Sequence, residues 1–505
     1  MKRFWRFSTA VLLLSLTACF SINENGPLST LAPTNAASNE SPSGNNPDIL
    51  VPLTPPPAYD GTPTPDPPHL VPNENATEII HTISAGETIG FIANIYGRSV
   101  EEILEINNLS DSDLVFVGQQ LTIPASPAMP GPRFKIIPDS GLVYGPSAEN
   151  FDVRQFANGY DGFLLRYEEE VEGVILAGPE IVSLIAHRFS VNPRLLLTIL
   201  EYHGKWVTQA TVVSPQFPID ASNPNLSGLY LQLNWAANQL NLGFYGRSEG
   251  NLHTFILNDG TRISYNPQIN HGTAGVQRLL GQTNQSFGDW LEATGPNGFY
   301  ATHAALFGNP FAYTFDPILP ANLEQPKLRL PWASSETWFF TGGPHGGWAP
   351  GSAWAALDFA TPGDQLGCVT TDFWVTAVSD GIVTRSEFGA VVVDMDGDEY
   401  AGTGWAITYM HIETRDRIAL GERVKAGDRI GHPSCEGGFS NGTHLHIART
   451  FNGRWVSADG QIPFNMNGWV SQGNGNEYDG FLVRNDVIKE ACECRDEEIN
   501  AIPGR

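Results

Sequence analysis

Residues 443–448 are the stretch that most constrains how this chain can fold. Their alternation of polar and apolar side chains is typical of a β-strand, in which residues two apart point to the same side. His444 and His446 therefore share one face of the strand, and Leu445 points to the other. A fold that uses both histidines must bring their partners against this strand.

Two further side chains, His345 and Asp358, complete a set that suits a metal ion. Zinc is held by imidazole nitrogens and carboxylate oxygens in a tetrahedral shell, and a hydrolytic site leaves the fourth position to water. His345, Asp358 and His446 could supply the three ligands. Because zinc lowers the pKa of bound water toward about 7, His444 could take its proton. The sequence predicts one Zn²⁺ per chain and hydrolytic chemistry.

The region 328–485 resembles the lysostaphin-type zinc endopeptidases of bacterial cell walls, most closely their staphylolysin and β-lytic branch. Four stretches carry the resemblance in the family's order: residues 342–345 (GGPH), 356–359 (ALDF), 408–411 (TYMH) and 435–446 (CEGGFSNGTHLH). The resemblance implies that His345, Asp358 and His446 bind zinc and that His444 is the general base. It also implies that His411 orients the water or stabilises the oxyanion.

One position departs from the commoner branch of that family, which places its first ligand four residues before the aspartate, where this chain has Trp354. His345 lies thirteen residues before Asp358, which fits the longer loop of the β-lytic branch. If His345 were a bystander, the chain would be a non-catalytic activator of other cell-wall hydrolases. This alternative stays open at the level of sequence.

The composition limits the possible partners. Lys and Arg number 28 against 54 Asp and Glu, a net charge of -26 that repels nucleic acid. At 505 residues, with 52 Gly and 37 Pro, the chain suits several loop-rich modules. We expect a multidomain α+β protein and no nucleic-acid partner.

The N-terminus predicts a secreted, anchored protein. Residues 1–19 combine three basic side chains, a short apolar run and the sequence LTAC, which looks like a bacterial lipobox. That resemblance implies lipidation of Cys19, a membrane anchor outside the cytoplasm and association with the cell wall. The alternative is an uncleaved membrane span, but the apolar run is far shorter than the ~20 residues required. Residues 20–77, rich in Pro, Ser and Thr, are expected to form a disordered linker.

Residues 78–126 show a strand–helix–helix–strand pattern, with strands at 80–83 and 120–123 and helices at 88–96 and 99–106. Ser99 and Glu102 have the spacing of a capping box. The segment resembles the LysM module, which implies binding to the N-acetylglucosamine-containing glycan of peptidoglycan. The alternative is a small βααβ spacer.

The middle region, residues 130–325, is predicted to be mostly helical. Apolar side chains recur with helical period over 180–189 and 193–202, and 229–240 and 273–280 look helical too. The second of these helices faintly resembles the one that carries the catalytic glutamate of lysozyme-like enzymes, which would make Glu201 a glycosidic acid. The alternatives for Glu201 are a cap or a solvated edge.

After residue 328 the pattern changes to short alternating strands, which predicts an antiparallel all-β domain. The Asp-Gly pair in Ser379–Gly381 predicts a hairpin between strands 373–378 and 382–385. The acidic run 394–398 lacks the spacing of a calcium loop and is predicted to be a solvated turn. Residues 486–505 are set apart as a C-terminal tail.

Four cysteines remain beyond Cys19, and in an oxidising compartment they could form two disulfides. A Cys368–Cys435 bond would tie two loops near the proposed site, leaving Cys492 and Cys494 to close a small ring. Crossed pairing between loop and tail is equally open.

Together these patterns predict a zinc metalloendopeptidase that cuts peptide bonds of peptidoglycan, with its glycan partner bound by the LysM-like module. Besides the non-catalytic activator, glycan cleavage by the middle domain through Glu201 remains an alternative.

Overall fold

A computed structural model describes residues 78–505 apart from 84–86, 97, 111–114, 126, 221–223, 250–251 and 364–365. The predicted signal segment 1–19 with Cys19, and the linker 20–77, lie outside the described residues. Across the part of the chain that is described, no helix has both the length and the apolar character needed to cross a membrane. The described chain combines helices with several antiparallel sheets.

The first module has the predicted βααβ order. Its elements are β1 (Glu78–Thr82), α1 (Ile89–Ile95), α2 (Val100–Ile106) and β2 (Gln120–Pro124), with β1 and β2 antiparallel. Ser99 caps α2 by accepting the Glu102 N–H, and the Glu102 carboxylate accepts the Ser99 N–H, so the predicted capping box is confirmed. Ile92, Ile103 and Leu121 are fully buried between the two helices and the two paired strands.

The middle domain is mostly helical, as predicted. Its elements are β3 (Met129–Pro130), α3 (Val153–Asn158), β4 (Glu168–Val171), β5 (Val174–Ala177), α4 (Gly178–Phe189), α5 (Pro193–Gly204), α6 (Leu229–Ser248), β6 (Thr254–Ile256), β7 (Arg262–Ser264), α7 (His271–Thr283), α8 (Phe287–Ala293) and α9 (Phe299–Phe307). Asn192 caps α5 and Pro193 occupies its first turn, where a missing N–H costs nothing. Buried α6 packs along α7 at the centre of the domain.

The last domain is built from antiparallel strands. They are β8 (Thr337–His345), β9 (Ala356–Ala360), β10 (Val375–Thr376), β11 (Gly381–Glu387), β12 (Ala390–Asp394), β13 (Trp405–Met410), β14 (Arg423–Val424), β15 (Arg429–Gly431), β16 (His444–Phe451), β17 (Arg454–Trp455), β18 (Asn465–Met466), β19 (Trp469–Gln472), β20 (Phe481–Arg484), β21 (Val487–Glu490) and β22 (Ala501–Pro503). The main sheet has the order β14-β11-β12-β13-β16-β9-β8-β22, and β17 also pairs with β16. Strand β16, with both histidines, is therefore central.

The two faces of the main sheet pack against different cores. Leu445, Leu357 and Tyr409 point into a core that belongs to the last domain itself. Ala448 and Ala356 point the other way and join the core of the middle domain. Because side chains alternate along a strand, His444, His446 and Asp358 share the face that the middle domain covers.

Two predictions for the last domain are wrong. The segments beside Ser379–Gly381 form no hairpin, since β10 pairs with β15 while β11 pairs with β12 and β14. Instead, the Asp380 carboxylate accepts the Ala426 N–H at 2.9 Å and fixes its loop to the turn that follows β14. Residues 486–505 are no detached tail, because β22 pairs with the edge strand β8.

The acidic run 394–398 is a turn, but it is not solvated throughout. Asp394 is fully buried, and its carboxylate accepts the N–H groups of Gly397 and Glu399 at 3.1 Å. Burial, together with the nearby Asp396, raises the pKa of Asp394 to about 6. The first aspartate therefore closes the turn.

Candidate metal centre and active site

Strand register brings three of the predicted side chains together. His446 on β16 lies directly opposite Asp358 on β9, and Gly342 on β8 faces Asp358 from the other side. A Cβ on Gly342 would lie 2.7 Å from a carboxylate oxygen of Asp358, so only glycine leaves room there. The register of β8 relative to β9 shifts twice between Phe340 and His345. Such bulges change the direction in which the side chains point.

The ligand atoms of these side chains converge. His345 Nε2 lies 3.0 Å from His446 Nδ1. Asp358 Oδ1 lies 3.3 Å from His345 Nε2 and 3.2 Å from His446 Nδ1. The three groups form one of the metal-competent clusters in the described chain. Trp354 takes no part in this cluster, and its carbonyl accepts the Ala458 N–H.

Backbone carbonyls fix which nitrogen of each ligand ring is available. His345 Nδ1 lies 2.8 Å from the Gly343 carbonyl, and His446 Nε2 lies 3.1 Å from the Gly347 carbonyl. Since a carbonyl can only accept, the nitrogen beside it carries the proton. In the neutral rings the opposite nitrogens, His345 Nε2 and His446 Nδ1, are unprotonated and can bind a metal.

The aspartate has the surroundings of a metal ligand. Asp358 is 1% exposed, and neither carboxylate oxygen receives a hydrogen bond from the described residues. A buried carboxylate without donors is costly unless a cation neutralises it. Burial alone would raise the pKa of Asp358, but the rings of His345 and His444 hold that pKa well below its usual range. The donor set, two imidazoles and one ionised carboxylate, fits zinc.

The remaining two histidines lie beside this cluster. His444 Nδ1 lies 2.8 Å from the Gly442 carbonyl, and its Nε2 lies 3.8 Å from Asp358 Oδ2. His411 Nδ1 lies 2.9 Å from the Glu436 carbonyl, and its ring centroid lies 4.5 Å from that of His444. In a neutral ring this contact places the proton on Nδ1 and leaves Nε2 free to accept. Burial, with the nearby His444 and His446, keeps the pKa of His411 well below its ordinary value.

One residue of the site was missed by sequence reasoning. The Tyr478 ring stacks on His345 with centroids 4.2 Å apart. The Tyr478 carbonyl accepts the Gly343 N–H, and the Tyr478 N–H donates to the Pro344 carbonyl, close to the end of β8. Residues 478–482 repeat the letters of residues 160–164. Nothing in that repeat indicates a contact with a ligand.

The disulfides follow one of the pairings that the sequence allowed. Cys368 bonds to Cys435, and Cys492 bonds to Cys494. The first bond ties the segment before β10 to the residue that precedes Glu436. It therefore anchors the carbonyl that holds His411.

Glu201 has the geometry of a structural residue. It is 6% exposed, and one carboxylate oxygen accepts the N–H groups of Val207 and Thr208. The other oxygen accepts the Thr208 hydroxyl at 2.7 Å. These bonds close the turn after α5 and favour the capping alternative over a glycosidic acid.

Comparisons with known proteins agree with this architecture. A family model for the LasA N-terminal domain matches residues 135–321, and one for the LysM domain matches residues 81–124. The model that matches the middle domain is therefore not a lysozyme-like one. Protease LasA of Pseudomonas aeruginosa strain UCBPP-PA14 is 24% identical over 356 residues, which span 65% of this chain and 77% of the relative.

Solved structures also give partial matches. A structure described as the novel M23 metalloprotease pseudoalterin from the deep sea is 25% identical, with a TM-score of 0.27, and the match covers 33% of this chain and 96% of that one. The catalytic domain of lysostaphin from Staphylococcus simulans is 22% identical, with a TM-score of 0.18 and coverage of 24% and 89%.

The family models cover separate parts of the chain, and the alignment with Protease LasA spans most of it. The chain thus contains a LysM domain followed by a LasA-like N-terminal region, and it is homologous to Protease LasA.

Proposed function

We propose that this protein is a zinc-dependent endopeptidase that hydrolyses peptide bonds of bacterial peptidoglycan. The observation that carries the proposal is the convergence of His345 Nε2 and His446 Nδ1 on the buried, donor-free carboxylate of Asp358. The homology to a protease supports peptide hydrolysis, and the LysM domain supports a cell-wall substrate.

The metal would be held by His345, Asp358 and His446. When bound, zinc supplies a Lewis acid that polarises the scissile carbonyl and lowers the pKa of a water. His444 would accept a proton at Nε2, because its Nδ1–H is donated to the Gly442 carbonyl.

The role of His411 follows from its protonation. Its Nδ1–H is donated to the Glu436 carbonyl, and its lowered pKa keeps the ring neutral. A neutral ring with this tautomer accepts a hydrogen bond at Nε2 and cannot donate one there. Of the two roles implied by the family resemblance, we therefore assign His411 to orienting the water and not to stabilising the oxyanion.

The flanking segments would place this chemistry at the wall. We propose that residues 78–126 bind the glycan strands. We further propose that a lipid on Cys19 anchors the protein outside the cytoplasmic membrane, with residues 20–77 as the spacer. The turn-closing bonds of Glu201 weigh against glycan cleavage by the middle domain, and the place of His345 in the cluster supports a catalytic over a non-catalytic role.

Digestion of defined cross-linked muropeptides tests the proposal. The purified protein should release new amino groups, a zinc chelator should abolish the release, and added Zn²⁺ should restore it. Glu201→Gln is the matched control and should cut at a rate near that of the wild type. Release of reducing sugar ends in place of amino groups, or cleavage that survives complete removal of metal, would contradict it.

A further inference from the structure

The loop 346–355 connects the two metal ligands His345 and Asp358 and lies between the last domain and the middle domain. We propose that helix α6 of the middle domain, through Asn238, holds this loop and so positions the metal ligand His446. Asn238 is then a positioning residue of the metal centre. The inference rests on the proposed function only in assuming that the cluster binds zinc.

The loop matters to the metal centre because it carries the Gly347 carbonyl, which lies 3.1 Å from His446 Nε2. This bond leaves Nδ1 unprotonated toward the metal. If the carbonyl moved away, His446 could take the other tautomer, and its Nδ1–H would then point at the metal position. The place of Gly347 therefore controls whether His446 is a ligand.

Within the loop, short-range bonds make a compact unit. The Gly347 N–H donates to the Ala353 carbonyl at 3.0 Å, and the Trp348 N–H donates to the Ser352 hydroxyl at 3.1 Å. A displacement at one point of this closed loop is consequently transmitted to Gly347.

Helix α6 holds the loop at its far end. The side-chain oxygen of Asn238 accepts the Gly351 N–H at 2.8 Å, and Asn238 is only 3% exposed. A Cβ on Gly351 would lie 2.4 Å from the Asn238 carbonyl, so the loop and the helix approach as closely as glycine allows. A buried N–H that lost its acceptor would have to be satisfied elsewhere, and the loop would move.

The same helix makes a second contact beside Gly347. The Tyr245 hydroxyl accepts the Trp455 N–H at 3.0 Å, and a Cβ on Gly347 would lie 2.6 Å from the Trp455 ring. Trp455 thus packs on the peptide that carries the critical carbonyl. Asn238 and Tyr245 lie two turns apart on α6, so one rigid helix supports both sides of the loop.

Two buried guanidinium groups hold the side of the loop. Arg188 of α4 and Arg385 of β11 lie 5.2 Å and 5.4 Å from the Trp348 ring, within the range of cation–π contacts. Glu172 pairs with Arg188 at 2.7 Å. The middle domain therefore contacts the loop at two points, through Arg188 at Trp348 and through Asn238 at Gly351, which makes that domain part of the metal centre's scaffold.

The test is zinc affinity of the full chain after removal of the Asn238 amide. Apo-protein is titrated with Zn²⁺ against a competing chromophoric chelator, and hydrogen exchange of residues 346–355 is measured in parallel. Asn238→Ala should bind zinc about tenfold more weakly, the lower end of what loss of an outer-shell partner costs. Its loop should exchange faster than that of the wild type.

Matched variants separate positioning from general destabilisation. Asn234→Ala removes an equally buried amide one turn earlier on α6, whose bond goes to the Tyr230 carbonyl of the same helix, and should leave zinc affinity within about twofold. Gly351→Ala should push the loop away from the helix and weaken zinc binding as Asn238→Ala does. Gly288→Ala should not, because a Cβ there would meet only Ser286 Oγ, at an ordinary contact distance of 3.7 Å.

The outcomes distinguish the two proposals. If the wild type binds zinc and Asn238→Ala and Gly351→Ala bind it equally well, the positioning role is overturned and the proposed function stands. An equal loss of affinity in Asn234→Ala would also overturn it. If the wild type binds no zinc, both proposals fall.

Discussion

Four imidazole rings surround Asp358, and each donates one N–H to a backbone carbonyl. Gly343, Gly347, Gly442 and Glu436 supply those carbonyls. The four rings nevertheless differ in their distance from the carboxylate. His345 and His446 approach Asp358 Oδ1 within 3.3 Å, while His444 Nε2 stands 3.8 Å from Oδ2. This difference fits the proposed division between the metal ligands His345 and His446 and the proton acceptor His444.

Replacing the two histidines of β16 separately tests that division. His446→Ala should lose zinc, because two ligands hold the ion poorly. His444→Ala should keep one zinc per chain and lose about 10²- to 10⁴-fold in turnover, the usual contribution of a general base. Metal analysis and initial rates on a muropeptide measure both. The assignment is reversed if His444→Ala loses the metal while His446→Ala retains it.

At this scale the sequence predicted which residues meet but not how they are oriented. The alternation of β16 placed His444 and His446 on one face, and the four matched stretches added His345, Asp358 and His411. The stacking of Tyr478 on His345 could not be predicted from the sequence. The two residues are 133 positions apart in the chain (478 minus 345), and no periodic pattern connects them. Contacts of this kind depend on tertiary packing.

Among the elements, the loop before β16 depends on a disulfide. Cys368–Cys435 closes a loop with a sequence separation of 67, for which the chain-entropy model gives about 4 kcal/mol of stabilisation. Replacing both cysteines by serine should lower the free energy of unfolding by about that amount. Turnover should fall too, since Glu436 would no longer hold His411 firmly.

The second disulfide provides the control for this experiment. Cys492–Cys494 has a sequence separation of 2, so its removal releases little chain entropy and should cost clearly less. Denaturant unfolding of both double variants gives the comparison. Equal costs for the two pairs would show that loop closure is not what the first bond contributes.

Helix α9 gives the protein a defined sensitivity to acid. His303 is 7% exposed, and burial, with a smaller contribution from Arg194, lowers its pKa to about 4. Because the unfolded chain binds this proton near pH 6.5, the folded state loses stability as the pH falls from 7 toward 4. At pH 5 the loss from this group is about 2 kcal/mol.

His303→Phe should remove that contribution. Unfolding free energies of the variant and the wild type are compared at pH 7 and pH 5, so that the constant effect of packing cancels. The variant should lose about 2 kcal/mol less than the wild type over this interval. Identical losses would mean that His303 takes up its proton in the folded state.

Elements with a strong apolar stripe were predictable, and those defined by turn chemistry were not. Helices α4 and α5 appeared where the 3.6-residue pattern placed them. The Asp-Gly hairpin failed because a type I′ turn needs positive φ at both central residues, and neither Asp380 nor Gly381 has it. A Cβ on Gly381 would lie 2.3 Å from the Asp394 carbonyl. Glycine at this position therefore allows β11 to approach β12 closely.

For the whole molecule, the main feature is that the middle domain covers the face of the sheet that bears the site. Ala356, Ala390 and Ala448 join its core. This contact could not be predicted from the sequence, because alanine on a strand gives only a weak hydrophobic signal. The middle domain also showed no sequence motif that indicates packing against these alanines. The sequence indicated separate modules, but it did not indicate how the modules pack against each other.

Removal of residues 78–126 tests the division of labour between the modules. We expect binding to intact sacculi to weaken by at least about tenfold, because a second site raises the effective local concentration of the substrate. Hydrolysis of a small soluble muropeptide should be unchanged, since the LysM domain has its own core. A parallel loss on the soluble substrate would contradict this division.

The central claim is that His345, Asp358 and His446 hold one zinc ion. A crystal structure of the zinc-soaked protein, with diffraction data on both sides of the zinc absorption edge, tests it most directly. We predict one anomalous peak at about 2.0–2.2 Å from His345 Nε2, an Asp358 oxygen and His446 Nδ1. No peak at this position, with the His345 ring turned away from Asp358, would contradict the account.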